Sequence, residues 1–151
     1  MQTLFRFSAL ALALLASGVA QAQPDRNASP QTTLSVSGDA TAQTTVRAGG
    51  SDRVAVQGSG CSGFIANNSP VAAVAWSGSG ALSIYATSGT DTTLLVADPS
   101  GRWHCSDDAN GSNPGVTIAQ ARTGRYLVWV GTFEPGTASA TLNAKGGQPD
   151  W

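Results

Sequence analysis

Short stretches in which apolar and polar residues alternate recur along most of this 151-residue chain, and they set the architecture to expect. Residues 32–37 put Leu34 and Val36 on one face and Thr33, Ser35 and Ser37 on the other, the period of two that marks a half-buried strand. Residues 41–47 form a second, weaker strand, and residues 53–57 a third with Val54 and Val56 facing inward. A glycine-rich bend follows, then a loop over 64–70. Residues 71–76 are apolar on both faces, as in a strand covered from both sides. Residues 81–87 alternate Leu82, Ile84 and Ala86 with Ser83, Tyr85 and Thr87, and residues 137–143 alternate Ala138, Ala140 and Leu142 with Thr137, Ser139, Thr141 and Asn143. Turn pairs such as Gly38-Asp39, Gly49-Gly50 and Gly78-Ser79 punctuate the runs about every ten residues. The expectation is an all-β fold of about eight short strands, packed as an antiparallel β-sandwich or small barrel.

The richest stretch lies between Asp91 and Gly131. Its strand over Thr92–Ala97 stops at Asp98-Pro99 and Ser100-Gly101, and a polar loop then carries Trp103, His104, Cys105, Asp107, Asp108, Asn110 and Asn113. The chain returns through 116–119, turns at Thr123-Gly124 and enters the aromatic-rich strand over 125–132. The run D-TTLLV-A-DP-S-G-R-W-H-C-S-DD…NP…G-R-Y-L-V-W-V-G resembles the bacterial pre-peptidase C-terminal domain, in the variant found in small stand-alone secreted proteins. The resemblance extends from about Ser35 to Ala144. It implies a jelly-roll-type sandwich and an accessory role beside secreted peptidases, with functions in export, solubility or substrate attachment. It does not imply an enzyme, because a fold does not confer an activity.

The ends narrow the picture further. Residues 1–22 read as a secretory signal peptide: Arg6 gives a weakly positive start, residues 10–15 a short apolar centre, and Ala20-Gln21-Ala22 a cleavage site. Residues 23–31 are a polar, proline-bearing flexible leader, residues 32–145 the sandwich, and residues 146–151 a frayed tail. The expected location is the periplasm or the exterior of a bacterial cell. Cys61 and Cys105 are the only cysteines, and in such a compartment they pair. Closing a loop of about 45 residues stabilises a fold by roughly 4 kcal/mol on the chain-entropy estimate.

Charge excludes one class of partner. With 8 basic and 9 acidic residues scattered along the whole chain, no basic stripe exists to neutralise a nucleic-acid backbone. The strands are too short, and their polar faces too rich in Ser and Thr, for a membrane barrel. The chain is therefore expected not to be embedded in a membrane, and to be a monomer with a glycan, peptide or protein ligand.

Two constellations carry candidate chemistry. Asp98, Asp107, Asp108 and Asn110 are hard oxygen donors of the kind Ca2+ prefers, and calcium is the one cofactor they suggest. The competing use of the same side chains is to shape turns by hydrogen bonding to nearby backbone. Trp103, an indole on a polar loop, is the candidate ligand contact. His104 is the single histidine, so a small secreted hydrolase, the rival to a binding module, would have to be built on it. No G-x-S-x-G elbow accompanies it.

Overall fold

The computed structural model describes residues 23–56 and 60–151; the segment read as a signal peptide, 1–22, lies outside them. Among the described residues there is no helix. Eleven strands form two sheets: β1 (Thr33–Val36), β2 (Thr41–Gly50), β3 (Asp52–Arg53), β4 (Phe64–Ile65), β5 (Ala72–Trp76), β6 (Leu82–Thr87), β7 (Thr92–Ala97), β8 (Trp103–Ser106), β9 (Gly115–Ile118), β10 (Gly124–Thr132) and β11 (Gly136–Gly146). The first sheet runs β1-β5-β10-β7-β8, with the short β4 and β3 continuing past the end of β5; the second runs β2-β11-β6-β9. The all-β sandwich read from the alternation is the fold of the chain. One pairing departs from the antiparallel rule, because β1 lies parallel to β5 with Leu34 opposite Val74.

The period of two decides where each residue goes. Leu34, Val36, Val74, Trp76, Leu94, Val96, Tyr126, Val128 and Val130 point from the first sheet into the space between the layers. There they meet Val46, Ala48, Leu82, Ile84, Ala86, Ala140, Leu142 and Ala144 of the second. Trp76 donates its indole N–H to the carbonyl of Ala121 (3.2 Å), so its one polar atom is satisfied inside the core. Tyr126 does the same where β10 begins, donating its hydroxyl to the carbonyl of Arg122 four residues back (2.8 Å), the arrangement known in sandwiches as a tyrosine corner.

The other face of the first sheet is also apolar. Ile65, Ala73, Leu95, Ala97, Leu127 and Trp129 form a second cluster there, covered by Val54, Val56, Trp103 and Cys105. Each large side chain buried in this way contributes about 1.5–3 kcal/mol. This explains why β5, β7 and β10 are apolar on both sides. Trp129 is buried under this outer cover, where its indole donates to the carbonyl of Asn67 (3.2 Å).

Three local expectations change. The segment after β3 is not a continued strand: Val54 and Val56 lie on the outer cluster as irregular cover. The leader is docked, with Pro24 buried, the Asp25 amide donating to Asn67 O and the Gln31 amide to Pro70 O. The tail is docked as well, for Trp151 packs on Tyr85 with ring centroids 4.9 Å apart and the Asp150 amide donates to the Tyr85 hydroxyl (3.3 Å).

Candidate functional site

The stretch carrying the predicted site residues is a β-hairpin with an acidic connector beyond it. β7 and β8 pair in register, Ala97 opposite Trp103 and Leu94 opposite Ser106, so His104 and Cys105 sit in a strand where a loop was expected. The hairpin turn is made by Asp98. Its Oδ1 accepts hydrogen bonds from the amides of Ser100 and Arg102 (both 2.9 Å) and from the Ser100 hydroxyl (2.6 Å), and its Oδ2 meets His104 Nε2 at 3.0 Å. Gly101 takes a φ of 84°, a left-handed turn position that a side chain disfavours. Burial alone would push the Asp98 carboxyl up. The hydrogen bonds from Ser100, His104 and the backbone outweigh it and bring the group down to about 2.

Asp98 is therefore spent on shape. In a hydrolytic triad the histidine would hold a serine hydroxyl while the aspartate held the histidine. Here Ser100 gives its hydroxyl to Asp98, and among the described residues no serine hydroxyl bonds His104.

The calcium set is not brought together. Asp98 stands at the turn end of β8, while Asp107, Asp108 and Asn110 follow its other end. The four residues of β8 separate them, on the order of 13 Å at about 3.3 Å per residue. Among the described residues no three His, Cys, Asp or Glu side chains converge on a metal position. Asn110 and Asn113 close their own turn through a β-bridge. Asp107 and Asp108 lie near Asp91, whose carboxyl is pushed up by burial and then by the charges of Asp108, Asp107 and Glu134. These carboxylates repel one another, and the four donors named from sequence do not fit one cation.

Trp103 is half-buried and engaged on more than one side. Its ring lies 5.5 Å from that of Trp129, and the Arg26 guanidinium sits 5.5 Å from its centroid while donating to Gly101 O (2.6 Å). The leader arm thus covers the indole expected to meet a ligand. Cys61 and Cys105 are bonded, with Cα atoms 6.1 Å apart. Their bond joins the cover segment to the edge strand of the sheet it covers.

The residues left facing solvent as a group belong to the second sheet. On β2 the exposed outward positions are Thr41, Gln43, Thr45 and Arg47; on β11 Thr137 and Ser139 are exposed, Thr141 and Lys145 half-buried, and Asn143 buried. Across the pair Gln43 stands opposite Asn143, Thr45 opposite Thr141 and Arg47 opposite Ser139. The row through Asn143 continues to Tyr85 on β6, over which the 46% exposed Trp151 lies. Hydroxyls, an amide, one guanidinium and one indole thus share the outer surface of this sheet. The sequence signalled it only as the polar half of the β2 and β11 alternation.

A two-layer all-β sandwich with one covered and one open outer face is the class that this geometry defines. No protein-family model matches the chain, and no curated protein does. Among solved structures it is similar to the pre-peptidase C-terminal domain of a collagenase from Bacillus anthracis, at 15% identity and a TM-score of 0.46 over 80% of this chain and 99% of that one. It is also similar to a periplasmic inhibitor of g-type lysozyme from Aeromonas hydrophila, at 12% identity and a TM-score of 0.45 over 78% of this chain and 98% of that one.

Proposed function

We propose that this protein is a non-catalytic binding module of the periplasm or cell exterior, and that it binds a glycan on the outer face of the β2-β11-β6-β9 sheet. The observation that carries the reading is the asymmetry of the two outer faces. One is apolar and buried beneath the leader arm and the disulfide-linked segment; the other is open over β2 and the adjoining part of β11, where it presents Gln43, Thr45, Thr141 and Ser139, and carries the exposed Trp151 at its β6 end. Sugars offer hydroxyls to hydrogen-bonding side chains and apolar C–H faces to aromatic rings, so this mixture suits them better than it suits an apolar partner. A cystine that persists in oxidising compartments supports the location.

The test is calorimetric titration of a panel of soluble polysaccharides into wild type and Trp151→Ala. The expected result is saturable binding of at least one polysaccharide class, weakened tenfold or more by the substitution. Absence of binding across the panel, or a variant that binds as wild type does, sinks the reading. Hydrolysis by His104 is tested alongside: His104→Ala and wild type are expected to be equally inactive on ester, peptide and glycoside substrates.

A further inference from the structure

The β2–β11 end of the open face carries two adjoining hollows that share Arg47 and Thr137. The shallow one, about 500 Å3, lies over Thr45 and Arg47 of one strand and Thr137 and Ser139 of the other. The deeper one, about 250 Å3, turns the corner of the sandwich toward Gln31 and Ser69 and has Val71, Trp129 and Val130 in its lining. At the junction stands Arg47, exposed and held by one hydrogen bond from Nη2 to Thr137 Oγ1 (3.1 Å). Among the described residues no carboxylate lies within ion-pair distance of it.

That placement is specific. A guanidinium has five N–H donors in a planar fork suited to a carboxylate, and among the described residues only one is used here. It stands beside an apolar-walled recess whose mouth carries an amide and hydroxyls. The chain as a whole is net negative, so this local cation runs against the average field that an acidic ligand would meet.

We infer that the glycan bound on this face is acidic and N-acylated: Arg47 takes the sugar carboxylate, and the acyl methyl enters the recess lined by Val71 and Val130. The inference rests on the binding role proposed above and adds the ligand's chemical class. The row of Arg47 and the row of Tyr85 lie four residues apart along β11, on the order of 13 Å, so one oligosaccharide reaches both Arg47 and the Trp151 indole.

The experiment compares two tetrasaccharide probes by titration calorimetry at fixed ionic strength. One consists of N-acetylglucosamine only; the other alternates N-acetylglucosamine with glucuronate. Wild type is expected to bind the acidic probe at least tenfold more tightly, the scale of a charge-assisted bidentate contact. Arg47→Gln is expected to erase that preference while leaving the neutral probe's affinity within twofold. Ser69→Phe, which plugs the deeper hollow and leaves Arg47 in place, is expected to weaken both probes. Equal affinity for the two probes in wild type, or a preference that survives Arg47→Gln, overturns the inference and leaves the glycan-binding role standing. If neither probe binds and the polysaccharide panel is also blank, both fall together.

Discussion

Replacing Asp98 by asparagine keeps the size of the side chain and removes its charge, so it isolates what the carboxylate contributes to the β7–β8 turn. In the folded chain that carboxyl lies at about 2, against an ordinary value of 3.8. A group with a depressed folded value adds stability that is present above its unfolded value and is lost as pH falls through the folded one. The difference corresponds to about 2 kcal/mol at neutral pH, since each pKa unit is worth about 1.4 kcal/mol. The side chain is only 12% exposed, so solvent screening removes little of this. Roughly two-thirds of the contribution is gone by pH 2.5, with the loss concentrated below about pH 4. Urea melts of wild type and Asp98→Asn at pH 6 and pH 2.5 read it directly. The variant is expected to be about 2 kcal/mol less stable at pH 6, and the gap is expected to shrink to under about 1 kcal/mol at pH 2.5. Parallel loss of stability in the two proteins across that interval would refute the assignment of Asp98 as a charged turn brace.

The other predictions concern the remaining joints. The double variant Cys61→Ser with Cys105→Ser is expected to lose roughly 4 kcal/mol in urea unfolding, the chain-entropy value for the loop closed by this bond. Tyr126→Phe removes the hydroxyl that closes on Arg122 O and is expected to cost about 1 kcal/mol by the same measurement, with no change in the circular-dichroism spectrum. Chelation with EDTA, or addition of millimolar Ca2+, is expected to leave the melting temperature unchanged, because the oxygen donors are split between the two ends of β8; a calcium-dependent rise would place a cation where the side chains do not now converge. Arg26→Ala is expected to red-shift tryptophan emission by uncovering Trp103, at a stability cost of about 0.5–1 kcal/mol for the lost cation–π contact.

What could be read from sequence follows from what alternation encodes. Leu34 and Val36, or Leu82, Ile84 and Ala86, declare a face by their spacing, and the faces so declared are the ones that meet between the sheets. Alternation carries no direction, so the parallel seat of β1 against β5 was invisible to it. Nor did it reveal β8: Trp-His-Cys-Ser has no apolar period, and the segment becomes a strand because β7 offers it an edge and the Cys61 segment covers one side. The spacing of the oxygen donors was hidden for the same reason. Asp98 and Asp107 are near in a collapsed loop, but the intervening residues are extended. The docking of the leader was beyond local reading altogether, since Asp25 and Arg26 find their partners on Asn67 and Gly101, dozens of residues away.

The position of the cystine ties stability and function into one argument. The bond read from the cysteine count is a clasp between the cover segment and β8, both on the side of the first sheet. The apolar face formed by Ala73, Leu95, Ala97, Leu127 and Trp129 cannot be left wet, and the residues that shield it, Val54 and Val56, lie on irregular chain outside the strands. A covalent tie restricts that chain to the face it protects. At β2 and the adjoining end of β11 no such cover is needed, because the outward Gln43, Thr45, Arg47, Thr137 and Ser139 are polar groups that water already satisfies, and only the Tyr85 end of this sheet lies under the tail. Reduction should therefore loosen the cover over Trp103 and Trp129 while the β2–β11 ladder and its Arg47 remain in place. Under reducing, non-denaturing conditions tryptophan emission is expected to change while affinity at the open face does not, and a parallel loss of both would mean that the two faces are coupled through the core.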